Sequence, residues 1–504
     1  MTGLAGRCRM LERMINAHTQ RRPGHERLSG QDTAFLSFEK PGRPMHLGAL
    51  AFFVTGSWRC ADGGLDTERL VAMMAERARV APALGKRLAK APVTGWPAWV
   101  RADGNDLASQ FEVTAPAATR EEVRRIAEVA LSTPLDRGRP LWRVLIVPGL
   151  DGGEAFALVF LAHHALVDGI AGVDLLAQLL DGRGSRTPDR RGHLGVATSA
   201  RGILAAEVVR WVEMPTVVAL KGFAVLTSAR RMRRPGRRSK ALVRTCARLL
   251  TPGPRTALRS EDEGGRQLAW FSVEEEPLRY ARKRLNGTPN DIVLAAVAEA
   301  IGAMGGKDGH LPFRKVRAAV PVSFRTRAQR YDAGNRLGLL LTPLEIRERA
   351  PGRRVGRIRR HTELQKQRGD AEGYEVLCEL TGWTGLWSQR LLHWLAATLH
   401  SYGVLVTNVP GPSRAYTLGG TELQEIYPLV PLFGGQAVSV AVIRYQSSLQ
   451  VGVTSSWAGR ELVEEFSARL EAAFGELTRA TAESPAAEGV RVPGRTPGTV
   501  IAGS

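Results

Sequence analysis

The chain has 504 residues, enough for two domains or more, each with a core of its own. Its 44% apolar and 24% charged content is ordinary for a globular protein, whereas a formal net charge of +21 favours phosphorylated ligands or anionic lipid surfaces; with 6% aromatics and no recognition motif, nucleic acid ranks last. Cys8, Cys60, Cys246 and Cys378 are scattered without CxxC spacing, which argues against a zinc or disulfide framework, and no apolar run is long enough for a secretory signal or a spanning helix.

Residues 1–26 are basic and polar and are expected to form a mobile arm. Order is expected from Arg27-Leu-Ser-Gly-Gln-Asp32-Thr-Ala-Phe-Leu36, a capped helix, followed by Pro44-Met45-His46-Leu-Gly48 and an apolar strand over 49–54. Leu70, Val71, Met73 and Met74 mark an amphipathic helix, and Pro82-Ala-Leu-Gly-Lys-Arg87-Leu follows it. Thr119-Arg-Glu-Glu122 is a capping box, behind which Val123, Ile126, Ala127, Ala130 and Leu131 share a helical face. Pro140-Leu141-Trp142-Arg143 then reads as an extended turn with a buried tryptophan, leading into a strand over 144–147.

The stretch that organises the chain comes next. Residues 155–162 are unbroken apolar, the pattern of a strand buried on both faces, and they run straight into His163-His164-Ala-Leu-Val-Asp168-Gly169. Neutral imidazole, with a free pKa of about 6.5, is suited to taking a proton near neutral pH. Adjacent side chains on extended backbone point in opposite directions, so one histidine can face a substrate while its neighbour packs inward. Asp168 is placed to hold the turn or orient a ring, and Gly169 lets a ligand or another backbone come close. A metal site from His163, His164 and Asp168 is disfavoured, because the rings diverge and no Cys or third His lies nearby.

From 181 to about 265 the composition shifts to Gly, Pro, Arg and Ser at both ends. Ile203, Leu204, Val208, Val209, Trp211 and Val212 keep helical spacing, and 216–227 is apolar apart from Lys221. Arg230 to Arg248 holds nine Lys or Arg and no acid. Apolar joined to cationic sequence suits an interfacial segment; a crossover helix with a solvated basic face fits equally. Globular patterning resumes at Leu268. Thr288, Pro289 and Asp291 fit the N-cap, first and third positions of a helix whose Ile292, Val293, Ala296, Val297 and Ala300 face inward. Blocks at Val316 to Arg325, Gly334-Asn335-Arg-Leu-Gly338, Asn408-Val-Pro-Gly-Pro412, Leu418-Gly-Gly420, Tyr427-Pro428 and Gly434-Gly-Gln436 follow, then a half-buried strand with Val438, Val440 and Val442 and a closing helix through Phe466 and Phe474. The divisions expected are a basic arm over 1–26, an N-terminal domain over 27–184, a linker or crossover over 185–265, a second domain over 266–482, and a disordered Pro/Gly-rich tail over 483–504.

The HHxxxDG run from His163 to Gly169 resembles the signature of the CoA-dependent acyltransferase superfamily. The opening at Arg27–Gly48, the Pro140-Leu141-Trp142 turn, Asn290-Asp291 and the later blocks are similar to the bacterial wax ester synthase/diacylglycerol acyltransferases. That resemblance implies an α/β fold of two chloramphenicol-acetyltransferase-like sandwich domains side by side with a central channel. Acyl-CoA would enter as co-substrate from one side, and diacylglycerol or a long-chain fatty alcohol from the other. It implies His164 as general base, His163, Asp168 and Gly169 as support of the motif, and Arg87 as a partner of Asp168, with surface exposure of Arg87 the alternative. Asn290 and Asp291 are then active-site support or simply a helix cap, and Pro140, Leu141 and Trp142 belong to a turn beside the channel. No metal and no further cofactor is implied. A cytoplasmic enzyme held peripherally on a membrane or lipid-droplet surface is expected. The alternatives are an HHxxxDG enzyme with a carrier-bound donor and a non-catalytic lipid-droplet-associated protein.

Overall fold

A computed structural model describes residues 21–22, 25–40, 42–102, 107–180, 201–209, 211–212, 229–253, 265–304, 314–324, 334–384, 386–399, 401–412, 414–433, 436–457 and 459–482. The expected tail over 483–504, the apolar stretch over 216–227 and most of the expected arm lie outside these residues.

In the first part of the chain come β1 (Arg21–Arg22), β2 (His25–Arg27), α1 (Gly30–Phe38), β3 (His46–Val54), α2 (Thr67–Val80), β4 (Lys86–Lys90) and β5 (Pro97–Arg101). They are followed by β6 (Phe111–Val113), α3 (Arg120–Ser132), β7 (Trp142–Leu150), β8 (Ala155–His163), α4 (Gly169–Leu180), a helix over 201–209 and α5 (Ala229–Leu249). The second part holds β9 (Gln267–Glu274), α6 (Glu275–Arg284), α7 (Pro289–Ala303), β10 (Lys315–Ser323), β11 (Leu337–Glu345), α8 (Pro351–Arg368), α9 (Asp370–Thr384) and α10 (Leu386–Leu399). Then follow β12 (Val404–Val409), β13 (Thr417–Leu418), β14 (Thr421–Leu429), β15 (Val438–Tyr445), β16 (Ser448–Ser455) and α11 (Arg460–Ala482).

The motif strand β8 sits inside a six-stranded sheet of order β13-β14-β3-β8-β7-β6, antiparallel to both its neighbours. Its unbroken apolar sequence has a physical reason. Phe156, Leu158, Phe160 and Ala162 enter one core cluster, while Ala157, Val159 and Leu161 enter another on the opposite face. A strand covered on both faces shows no polar alternation. The second sheet, β11-β10-β12-β15-β16-β9, packs its apolar valines under α7 and α11, where Phe466, Leu470 and Phe474 are buried. Sequence spacing placed those helices because each buries a stripe of recurring apolar residues.

Three features depart from the expected division. Order begins before Arg27: β1 lies within the arm and β2 straddles its end, pairing with β5 through His25 opposite Val100 and Arg27 opposite Ala98. A short basic segment carries no alternation to announce a strand; backbone pairing and the Lys86–Glu26 ion pair at 2.6 Å secure it. The second departure is a return crossing. β14, from the later half, pairs antiparallel with β3 and so completes the first sheet. β16 approaches it so closely that a Cβ on Gly452 would stand 2.0 Å from the Pro428 carbonyl oxygen, so the two sheets can meet only over a residue without a side chain. Third, the C-terminal part of the cationic segment is a packed helix. α5 lies on α9, with Ala241 and Thr245 buried and Arg244 and Arg248 each 2.7 Å from Asp370.

Candidate active site

The two motif histidines leave the end of β8 and diverge, as extended backbone requires. His163 turns into the core. Its Nδ1 accepts the Ala165 amide at 3.0 Å, so the ring proton resides on Nε2, which faces Glu39 Oε1 at 3.6 Å. Burial alone would raise the Glu39 carboxyl, but the His163 N–H facing it and the Arg137 guanidinium at 2.6 Å outweigh burial and hold the group at about 2. The neighbouring His46, opposite His163 in the sheet, is pushed down to about 3, chiefly by burial. Asp168 is fully buried and its Oδ1 accepts the Ala171 amide at 3.0 Å, capping the first turn of α4.

His164 turns the other way. Its amide donates to the Met45 carbonyl at 2.8 Å, and its half-buried ring stacks on Phe35, centroids 3.9 Å apart and 7° from parallel, with Phe433 edge-on at 6.3 Å. Nδ1 lies 3.2 Å from Asn335 Oδ1. The orientation of that amide is fixed by its other half. Asn335 Nδ2 donates to Asp32 Oδ1 and to the His164 carbonyl, both at 2.7 Å, and the Asn335 backbone N–H donates to Asp32 Oδ1 at 2.8 Å. With both amide hydrogens committed to oxygens, Oδ1 must face Nδ1, which therefore carries the imidazole proton. Nε2 is left as the basic nitrogen. Burial pushes the ring down to about 4, against the opposing pull of Asp168 and Asn335, so it is neutral at neutral pH.

Asp32 belongs to the first turn of α1, where Ser29 and Asp32 form a capping box. Burial raises its carboxyl, with the Ser29 and Asn335 hydrogen bonds opposing. Gly334, at φ +85°, makes the turn that delivers Asn335; a Cβ there would be strained and stand 3.2 Å from Asp32 Oδ2.

His164 forms part of the wall of a cavity of about 190 Å³ between the two halves. Its lining is apolar for the most part: Phe35 and Phe38 from α1, Phe160 from β8, Val409 from β12, Leu429 from β14, with Gly169 at the start of α4. Among the described residues no group of three His, Cys, Asp or Glu is placed to hold a metal ion. An apolar chamber with one basic nitrogen in its wall can hold a lipid chain and accept a proton from a hydroxyl.

The remaining sequence-derived residues lie elsewhere. Pro140, Leu141 and Trp142 do not line the cavity. Leu141 and Trp142 are fully buried, with Trp142 Nε1 donating to the Leu84 carbonyl at 2.8 Å, so the turn with a buried tryptophan is present while the place beside the channel implied by the resemblance is not. Arg87 is on β4, its backbone bridging Pro140. Asn290 and Asp291 also stand off the cavity. Asp291 spends one oxygen on Thr288 N–H (2.9 Å) and hydroxyl (2.7 Å) and the other on the Thr362 hydroxyl at 3.1 Å, which is helix capping. Asn335 and Asp32 were not among the expected site residues. Their only local signals are a capping box and a Gly-Asn pair.

Comparison with known proteins places this geometry. Solved structures with the same fold include the wax ester synthase/diacylglycerol acyltransferase from Marinobacter aquaeolei VT8 (TM-score 0.63, 24% identity, 90% of this chain and 100% of that one) and the first condensation domain of the CDA synthetase (TM-score 0.57, 16% identity, 91% and 96%). The architecture is thus a chloramphenicol-acetyltransferase-like pair of α/β domains. The O-acyltransferase WSD of Acinetobacter baylyi is 26% identical over 442 residues, 84% of this chain and 90% of that one. The wax ester synthase/diacylglycerol acyltransferase catalytic domain matches residues 28–293, and the C-terminal domain of the same family matches residues 333–478. The chain belongs to the wax ester synthase/diacylglycerol acyltransferase family, and its activity is O-acyl transfer.

Proposed function

We propose that this enzyme moves a fatty acyl group from acyl-CoA to the hydroxyl of diacylglycerol or a long-chain alcohol, with His164 Nε2 as general base and no cofactor beyond the acyl-CoA itself. The observation that carries the reading is the ring of His164: proton fixed on Nδ1 by Asn335, Nε2 without a hydrogen-bond partner among the described residues, set in the wall of an apolar cavity. The acceptor O–H gives its proton to Nε2 as its oxygen attacks the thioester carbonyl. Collapse of the tetrahedral intermediate breaks the C–S bond, and the imidazolium returns the proton to the departing CoA sulfur. Ester and free CoA result, with no acyl-enzyme. His163 and Asp168 fix the turn that aims His164. Lipid acceptors reside in membranes or droplets, so peripheral attachment to such a surface is part of the proposal; no helix among the described residues is long and apolar enough to cross a membrane.

The test is turnover of labelled palmitoyl-CoA with a competing mixture of diacylglycerol and hexadecanol, products separated by chromatography. His164→Ala is expected to lower kcat about 10² to 10⁴-fold without loss of the thermal transition. Near-wild-type esterification by that variant would remove His164 from the mechanism. Turnover only with a carrier-bound donor would favour a condensation-type enzyme, and no turnover with any donor would favour a non-catalytic lipid-droplet protein.

A further inference from the structure

Helix α10 is a wall with two dissimilar faces. Gln389 and Leu392 line the cavity, and Leu386 packs against the cluster of Ala91, Trp96, Ala98, Val100 and Ile203. The opposite face carries Trp387, Leu391 and Trp394, exposed by 66%, 48% and 58%. At helical spacing these three directions fall within about 60° of one another, a single apolar stripe. Isolated exposed apolar residues are commonplace, but a stripe with two indoles is a docking feature. Exposed Arg390 borders it.

Charge selects the occupant. The chain carries a net charge of +21, and the exposed Arg390 stands at the edge of the stripe. A second copy of this chain would bring that charge against itself, whereas an anionic lipid surface complements it. Tryptophan suits such a surface, since the ring sits among the acyl carbons and the N–H stays at headgroup level.

We propose that Trp387, Leu391 and Trp394 seat α10 in an anionic lipid surface, which sets a wall of the reaction cavity directly against the phase that holds the acceptor. This rests on the lipid-acceptor reading above and adds to it a named surface.

The experiment uses the full chain with phosphatidylcholine vesicles, with and without phosphatidylglycerol. The triple variant W387S/L391S/W394S is expected to lose more than about tenfold in partitioning to the anionic vesicles, since three apolar side chains leave the interface. Esterification of a vesicle-embedded acceptor falls in parallel, while turnover with a water-soluble short-chain alcohol stays at the wild-type level. The conservative variant W387F/W394F retains binding, which separates loss of docking from loss of fold. Equal binding by wild type and triple variant overturns the proposal. So does a wild-type dimer that the triple variant dissolves with vesicle binding unchanged, because the stripe is then a subunit interface. Wild-type binding without turnover on any acceptor would sink the acyl-transfer reading and leave the docking surface standing.

Discussion

Two helix starts in this molecule carry the same device and put it to different use. At α1, Ser29 and Asp32 form a capping box; at α7, Thr288 and Asp291 do the same. In both, one carboxylate oxygen serves the helix. The difference lies in what the second oxygen meets. Asp291 Oδ1 meets the Thr362 hydroxyl on α8, which also reaches the Arg359 carbonyl, and none of these groups lines the cavity. Asp32 Oδ1 meets both N–H groups that Asn335 presents, and through that amide the aspartate fixes the proton of His164. A local motif sets the cap; the element packed against it decides whether the cap takes part in chemistry.

The comparison can be broken at either end. Asn335→Ala has the largest expected effect: kcat falls on the order of 10²-fold with KM little changed, because the tautomer of His164 is no longer dictated. A purely structural Asn335 would lower stability and leave kcat per folded molecule intact. Asp32→Asn is next, with kcat reduced about tenfold by an acceptor now partly replaced by a donor, against Asp291→Asn with kcat unchanged and a stability loss of about 1 kcal/mol in denaturant unfolding. If both substitutions depress kcat alike, the contrast between the two caps is void.

The pH profile sharpens the same point. Burial holds His164 at about 4, below its free value of 6.5, so the neutral base persists and the acid limb of kcat/KM lies near 4 to 5. Because the folded value is the lower one, the associated stability is present above 6.5 and drains away as pH falls from 6.5 towards 4. Asn335→Ala removes a contact that raises the group, so the limb shifts further to acid; a limb at 6.5 in the wild type would contradict the buried setting of the ring. The smallest expected effect is away from the site. Gln446 turns the β15–β16 hairpin at φ +50°, and Gln446→Gly relieves that backbone at the loss of an exposed hydrogen bond to Glu422, a net gain of up to about 1 kcal/mol in thermal unfolding.

The motif strand, the two capped helix starts and the closing helix were legible in the sequence because each is a local pattern: a continuous apolar run, a Ser/Thr-x-x-acid spacing, a 3.6-residue stripe. The pairing of Asp32 with Asn335 was not, since 303 residues separate them and neither residue type is diagnostic. The burial of Trp142 was legible in its turn before an apolar strand, but that Pro140, Leu141 and Trp142 stand away from the channel needed the structure. A tryptophan after a turn reads the same whether it faces a channel or, as here, donates to Leu84 in a packed core. The reading also favoured Asn290 and Asp291 over Asp32, and nothing local distinguishes the two caps.

The return of β14 to the first sheet has a consequence for biogenesis. β3 pairs on one side with β8 and on the other with Thr421–Leu429, so the nascent N-terminal half presents a bare edge until most of the polypeptide has left the ribosome. Cutting the gene at the apparent boundary near residue 265 would therefore yield a sticky fragment, whereas co-expression of both fragments could restore a complementing pair.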